Sequence, residues 1–170
     1  MRLRTLVLLA ACLLSSVSPV TGANDATASI SGTWRLVSYK SRTADGTVTD
    51  LYGPTPLGQL IYDTAGHMSV HLLKPGLPKC DTLDRRKCPE REARAAFDNY
   101  LGYWGRYQIN AMENSVTHHI DGASVPDWVG TSQERFFKLE GARLTLTTPS
   151  MKIAGMDAIQ TIVWERQAVR

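Results

Sequence analysis

Hydrophobic and polar residues alternate in short segments along most of the chain after residue 30, and turn residues separate these segments. The clearest case is His67–Leu73, where Met68, Val70 and Leu72 are apolar and the residues between them are polar. Alternation with a period of two is typical of a half-buried strand. The same reasoning predicts seven further strands, at Thr33–Lys40, Gly58–Tyr62, Arg106–Asn110, Ser115–Ile120, Gln133–Leu139, Arg143–Thr148 and Ala158–Arg166.

These eight strands follow one another with tight turns between several neighbours, such as Asp63–Gly66 and Glu140–Gly141. Sequential hairpins predict an all-β fold, an eight-stranded up-and-down antiparallel barrel. Eight is the number of strands at which such a barrel closes around side chains or one small ligand. We see no internal repeat and no domain boundary, and we expect one barrel domain over residues 30–170 after a short leader, 24–29.

One segment has the spacing of a helix instead, between the third and fourth predicted strands. Pro89 suits a first helical turn, and Glu90 and Glu92 suit a helix N-terminus. Gly102 and Gly105 are expected to end the helix. Its apolar face is predicted to pack on the barrel through residues at helical spacing, which are Ala93, Ala96, Phe97, Tyr100, Leu101 and Trp104.

The first 23 residues have the pattern of a secretion signal. Arg2 and Arg4 give a positive start, and Leu6–Leu14 is an apolar stretch too short to span a bilayer. Small residues around Gly22 and Ala23 suit a signal peptidase. We therefore expect a signal peptide over residues 1–23 and a periplasmic or secreted product.

Cys12 offers an alternative to simple cleavage. Leu9–Cys12 resembles a bacterial lipobox, which would leave a lipid anchor on Cys12. Only eleven residues precede this cysteine, which is short for a lipoprotein signal, and cleavage after residue 23 is the favoured expectation.

Composition and charge fit a globular binding or catalytic domain. The 170 residues are 43% hydrophobic, which is enough for a sizeable core. The formal net charge is +3, but Arg2 and Arg4 lie in the expected signal and no acidic residue does, so the mature chain is close to neutral. Nothing in this balance favours nucleic acid as a partner.

Two cysteines remain after the signal, Cys80 and Cys88, and both lie in a polar segment. In an oxidising compartment such a pair predicts a disulfide. Metal binding is the alternative, but two ligands do not make a site and no histidine lies nearby in the sequence.

The four histidines are the candidates for proton transfer near neutral pH. His118 alternates with Val116 and Ile120, so it should point into the barrel, while His119 should point out. A buried imidazole needs a partner, which we expect to be a water, a neighbour such as Tyr107, or a ligand. Adjacent strand residues point to opposite faces and cannot chelate one ion, so we predict no metal and no cofactor.

Several motifs resemble one known family. Gly32-Thr33-Trp34 near the start of the first strand, and Arg166 near the end of the last, resemble the lipocalins. In these the arginine packs across the tryptophan and closes the barrel floor. Further segments, including Gly66–Val70 and Trp128–Thr131, resemble the bacterial and fungal lipocalin-like domain family over about residues 30–166. The resemblance implies an eight-stranded barrel, with Trp34 and Arg166 in a structural role, and little about function.

The aromatic residues of the strands and loops suggest a small apolar cavity, since small-molecule pockets are mostly apolar with a few polar groups. The first hypothesis is a protein that binds a small hydrophobic or aromatic molecule. The alternatives are a cofactor-independent isomerase, cyclase or hydratase with His118 as its catalytic acid/base, and a structural protein with a filled barrel. The candidate ligand-binding residues are His118, Met68, Val70, Tyr107, Trp128 and Phe137.

Overall fold

The computed structural model describes residues 30–153 and 155–168. The predicted signal peptide, the leader and Cys12 lie outside these residues. One α-helix of more than a single turn, α1 (Glu90–Asp98), accompanies the strands in the described chain. The strands found there are β1 (Gly32–Thr43), β2 (Val48–Asp50), β3 (Leu57–Tyr62), β4 (His67–Leu73), β5 (Tyr100–Asn110), β6 (Ser115–Ala123), β7 (Ser132–Glu140), β8 (Arg143–Thr147), β9 (Met151–Ile153) and β10 (Met156–Arg166).

Eight of the strands form a closed antiparallel barrel. The order is β1-β3-β4-β5-β6-β7-β8-β10, and β10 pairs back onto β1 from Trp34↔Arg166 to Thr43↔Ala158. The short strands β2 and β9 extend the sheet beyond the barrel wall, where they pair with the end of β1 and the start of β10. The predicted eight-stranded up-and-down barrel is therefore confirmed.

The barrel interior is filled at one end and open at the other. Trp34 is fully buried at the filled end, which we call the floor, and the Arg166 Cζ atom lies 4.1 Å from the centre of the Trp34 ring. The Trp34 indole N–H donates to the Ile30 carbonyl oxygen over 2.9 Å. Arg166 also donates to the Ser31 carbonyl oxygen. A cation over an indole, with both polar partners satisfied, holds the two ends of the barrel chain together.

The helix differs from its prediction in length and packing. It ends at Asp98, and the chain from Tyr100 onward is the long strand β5, with Tyr103, Gly105 and Tyr107 facing the core. The spacing of Tyr100, Leu101 and Trp104 fits a helix by coincidence, because pairing with β4 and β6 on both sides makes this segment a strand. None of the residues of α1 is buried, so the expected packing face is also wrong.

The position of the helix also shifts by one strand. It follows β4 rather than a third strand, because the loop after β1 contains β2, a three-residue strand whose residues are all exposed. Such a short exposed segment leaves no alternation in the sequence for a prediction to use.

A β-bulge in β1 reverses the side-chain pattern of that strand. Trp34 and Leu36 face the interior, and the register then shifts between Leu36 and Ser38. After the shift Tyr39 and Ser41 are the buried residues. A bulge adds one residue to one strand and so changes which face the following side chains occupy.

The polar segment between β4 and α1 carries the Cys80–Cys88 disulfide, whose Cα atoms are 4.8 Å apart. This segment and α1 lie outside the barrel wall. In the described part of the chain, every helix is too short or too polar to cross a bilayer.

Candidate binding cavity

The barrel contains two adjoining spaces above its floor. The inner chamber is a cavity of about 20 Å³, large enough for about one water molecule. Above it lies a wider vestibule of about 500 Å³, within the range of small-molecule pockets. Four residues line both spaces at once, and we call them the neck: Tyr39, Leu101, Trp128 and Arg135.

The walls of the two spaces differ in character. The inner chamber is closed mainly by apolar and aromatic side chains, namely Val70, Leu72, Tyr103, Leu146, Ile162 and Trp164. The vestibule combines apolar residues, Leu51, Tyr52, Met151 and Ile153, with the polar residues Asp98, Gln133 and Gln160. A molecule entering the barrel would therefore meet an apolar rim first and the neck next.

Arg135 of β7 is the charged group of the neck. It is 7% exposed, and its guanidinium donates to the Glu134 carbonyl oxygen over 2.7 Å and to Gln133 Oε1 over 2.6 Å. Within residues 30–153 and 155–168, no carboxylate forms an ion pair with it. Buried charges in proteins are normally paired. Because no carboxylate among the described residues compensates Arg135, its charge makes the neck electropositive.

The Arg135 charge affects the pKa of two tyrosines that line the cavity, Tyr39 and Tyr103. Burial raises the pKa of Tyr39 and of Tyr103, and the neighbouring Arg135 guanidinium offsets part of that rise in both. Both hydroxyls are therefore neutral at physiological pH and act as hydrogen-bonding groups. Tyr39 donates to Gln160 Oε1 across the neck.

One buried polar group of the inner chamber has no hydrogen-bond partner among the described residues. The indole N–H of Trp164, which lines the inner chamber, is fully buried and forms no hydrogen bond with the described residues. A buried donor left unsatisfied costs about 1–3 kcal/mol. The chamber therefore presents an unused donor as well as a positive charge at its entrance.

His118 lies deeper, between two tyrosine hydroxyls. Its Nε2 atom is 2.6 Å from the Tyr62 hydroxyl, and its Nδ1 atom is 3.1 Å from the Tyr103 hydroxyl. Burial, and secondarily the charge of Arg135, lowers the pKa of His118 to about 3. The imidazole is thus neutral, fully buried and satisfied at both nitrogens.

The partners of His118 are neighbouring side chains, but they are Tyr62 and Tyr103 rather than Tyr107, the neighbour named as an example. Tyr107 instead donates to the Asp63 carbonyl oxygen over 2.7 Å, while its ring packs on Tyr62 at 4.7 Å between centroids. His118 does not line the chamber or the vestibule, so the acid/base hypothesis has no imidazole exposed to a bound molecule. His119 points outward, as the alternation predicts, and lies 2.8 Å from the Ser132 hydroxyl.

The other predicted site residues divide between the cavity and the packed core. Val70 and Trp128 line the inner chamber, and Trp128 packs edge-on against Tyr103. Met68 and Tyr107 are buried in the core, and Phe137 packs against it; none of these three lines the chamber or the vestibule.

Sequence reasoning missed the two polar groups of the neck. Arg135 stands two residues before Phe137 on the same strand, so the prediction that Phe137 faces inward already implied that Arg135 does too. Charged side chains are rarely buried in a core, so hydrophobic patterning gives no signal for Arg135. Tyr39 could not be found in this way, because the bulge after Leu36 reverses the alternation.

Residues 30–153 and 155–168 contain no group of three His, Cys, Asp or Glu side chains placed to hold an ion.

A family described as a lipocalin-like domain matches residues 31–167. Among curated proteins, the chain is 31% identical over 106 residues to the 4'-hydroxy-3'-methoxypropiophenone carrier protein of Aspergillus oryzae, covering 58% of this chain and 96% of that protein. No solved structure matches the chain.

Proposed function

The chain belongs to the lipocalin-like domain family, and we propose that it is an exported protein that binds a small hydrophobic or aromatic molecule in the barrel cavity. The observation that carries this proposal is the vestibule of about 500 Å³, which opens into the barrel through a neck containing Trp128 and Arg135. A structural barrel would need no such space.

The lining of the vestibule supports an aromatic or apolar occupant. Tyr52 stacks on Tyr39 with ring centroids 5.5 Å apart, and Trp128 adds a partly buried indole to the same lining. Flat aromatic surfaces favour aromatic molecules through offset or edge contacts. The relative from Aspergillus oryzae is named as a carrier of an aromatic ketone, which is consistent with this chemistry.

Binding without conversion is favoured over catalysis. The imidazole considered for acid/base chemistry is enclosed by Tyr62 and Tyr103, and its pKa is lowered to about 3 by burial. A general base works best with a pKa near the operating pH. His118 is far from that condition.

Native mass spectrometry of freshly purified protein tests the proposal. We expect a non-covalent small-molecule adduct that is released unchanged on denaturation. Trp128→Ala should reduce the bound fraction, whereas Trp104→Ala should not, because Trp104 is exposed on the outer face of β5. A ligand-free protein whose melting temperature is unchanged by any member of a panel of aromatic ketones, phenols and acids would contradict it.

Export is proposed from the N-terminal sequence and from the cysteine pair. The signal-like pattern of residues 1–23 and a disulfide in an exposed loop both suit an oxidising compartment. The intact mass of the protein recovered from periplasm or medium should correspond to a chain that starts near Asn24. A protein that keeps residues 1–23 and stays with the cytoplasmic fraction would refute export, and a lipid mass on Cys12 would favour the anchored alternative.

A further inference from the structure

We infer that the molecule bound in the vestibule carries a carboxylate, or an equivalent anionic head, and that this head enters first and pairs with Arg135. This inference rests on the proposed binding function and specifies the chemical class of the ligand. It starts from the buried guanidinium at the neck, for which the structure shows no acidic partner among the described residues.

The first argument is charge. Arg135 is 7% exposed, and its hydrogen-bond partners are the Glu134 carbonyl oxygen, the Gln133 amide oxygen and the Tyr103 hydroxyl. All three partners are neutral, so they do not compensate the positive charge itself. An arginine side chain presents five donors, and a carboxylate can accept two of them side by side.

The second argument is position. Arg135 lines both the inner chamber and the vestibule, so a group in the vestibule can reach it without moving through the packed core. The acidic residue of the vestibule wall, Asp98, is already held by Arg94, whose Nε lies 2.7 Å from its carboxylate. Among the described residues Asp98 forms its ion pair with Arg94 and none with Arg135.

The third argument is the unused donor below the neck. The fully buried Trp164 indole N–H has no partner among the described residues and lines the inner chamber. The chamber, about 20 Å³, holds about one water-sized group. A carboxylate at the neck can direct one oxygen toward this space, or can bind a water there that accepts from Trp164.

The polarity of the walls fixes the orientation. The vestibule rim is apolar at Leu51, Met151 and Ile153, whereas the positive charge lies at the bottom. An apolar body in the rim and an anionic head at the neck satisfies both regions. The reverse orientation would bury the apolar body against an unpaired guanidinium.

The test compares 4-phenylbutanoate with its neutral amide, 4-phenylbutanamide, by isothermal titration calorimetry on the mature chain. The wild-type protein should bind the acid at least about tenfold more tightly than the amide, since a charge-assisted hydrogen bond is stronger than a neutral one. Arg135→Met keeps an unbranched, flexible apolar chain and removes the guanidinium charge. It should abolish the preference, so that the variant binds the acid and the amide with affinities that differ by less than about threefold.

Arg143→Met is the matched control, because Arg143 is an exposed arginine on the outer face of β8. It removes the same charge and should keep the full preference for the acid. Circular dichroism melting of all three proteins verifies that each is folded. If Arg135→Met does not fold, Arg135→Lys serves instead and should retain a reduced preference for the acid.

The outcomes separate this inference from the proposed function. Equal binding of acid and amide by the wild-type protein would overturn the anionic head and leave a neutral-ligand carrier standing. A preference for the acid that survives Arg135→Met would overturn the role of Arg135. If folded wild-type protein binds neither compound at millimolar concentration, the inference fails; the proposed function then depends on native mass spectrometry alone.

Discussion

The buried histidine should make the barrel selectively sensitive to acid. The pKa of His118 is about 3 in the folded protein and 6.5 in an unfolded chain. Because the folded-state value is the lower one, protonation favours the unfolded state. The stabilising effect of a neutral His118 is complete above pH 6.5 and is lost progressively as the pH falls toward 3.

The size of this effect follows from one proton taken up on unfolding. One pH unit then changes the free energy of unfolding by about 1.4 kcal/mol. Between pH 7.5 and pH 5 the wild-type protein should lose about 2 kcal/mol from this group alone. Carboxylates with a lowered pKa, such as that of Asp63, which accepts hydrogen bonds from the His67 segment, add their own loss at lower pH.

Urea denaturation at several pH values between 7.5 and 5 measures the effect. His118→Phe leaves the hydroxyls of Tyr62 and Tyr103 without their partner, so it should be less stable than wild type at pH 7.5 by about 2–4 kcal/mol. The gap should narrow by about 2 kcal/mol at pH 5, because the variant has no imidazole to protonate. The carboxylate contributions are common to both proteins and cancel in the difference.

His119→Phe is the control, since His119 lies on the outer face of β6 and should keep the wild-type dependence on pH. His118→Gln, which can hydrogen-bond both tyrosines, replaces the phenylalanine variant if that protein does not fold. A gap between wild type and His118→Phe that stays constant from pH 7.5 to 5 would show that burial does not depress this pKa.

Three further predictions concern the scaffold. Trp34→Ala should lower the free energy of unfolding by about 3–5 kcal/mol, and a change within about 0.5 kcal/mol in urea denaturation would contradict its place in the core. Gly105→Ala should destabilise by about 2–3 kcal/mol, because a Cβ atom there would lie 2.0 Å from the carbonyl oxygen of His119; an unchanged melting temperature would refute this close approach. Thiol titration of the unreduced, denatured mature chain should find no free thiol at Cys80 or Cys88, and two reactive thiols would refute the disulfide.

The fold was accessible from the sequence because most strands have one buried face. In β4 every second residue is apolar, and the structure buries the predicted face, Met68, Val70 and Leu72. Periodicity failed where pairing partners decide the structure. The segment after Asp98 fits a helix in isolation, yet β4 and β6 hold it as a strand from both sides.

The candidate site was less accessible, because its chemistry depends on residues that break the usual rules. Tyr39 points into the neck because a β-bulge shifts the register of β1 after Leu36, and no sequence pattern predicts that shift. Arg135 is a charge inside a barrel, which hydrophobic patterning treats as an outward residue. The partnership of His118 with Tyr62 joins β6 to β3, strands that are not neighbours in the sheet, so alternation along one strand could not find it.

The closure of the barrel has a practical consequence for attaching the protein to anything else. The first and last barrel strands lie side by side, and the Gln167 backbone N–H donates to the Thr33 carbonyl oxygen over 2.8 Å. Both ends of the barrel chain thus emerge at the floor, beneath Trp34 and Arg166, while the vestibule opens at the opposite end. A fluorophore, a surface tether or a fusion partner joined before residue 30 or after residue 168 would leave the opening facing away from the attachment. The same proximity suits the chain to circular permutation, in which a short linker joins the old ends and new ones are cut into a loop beside the opening.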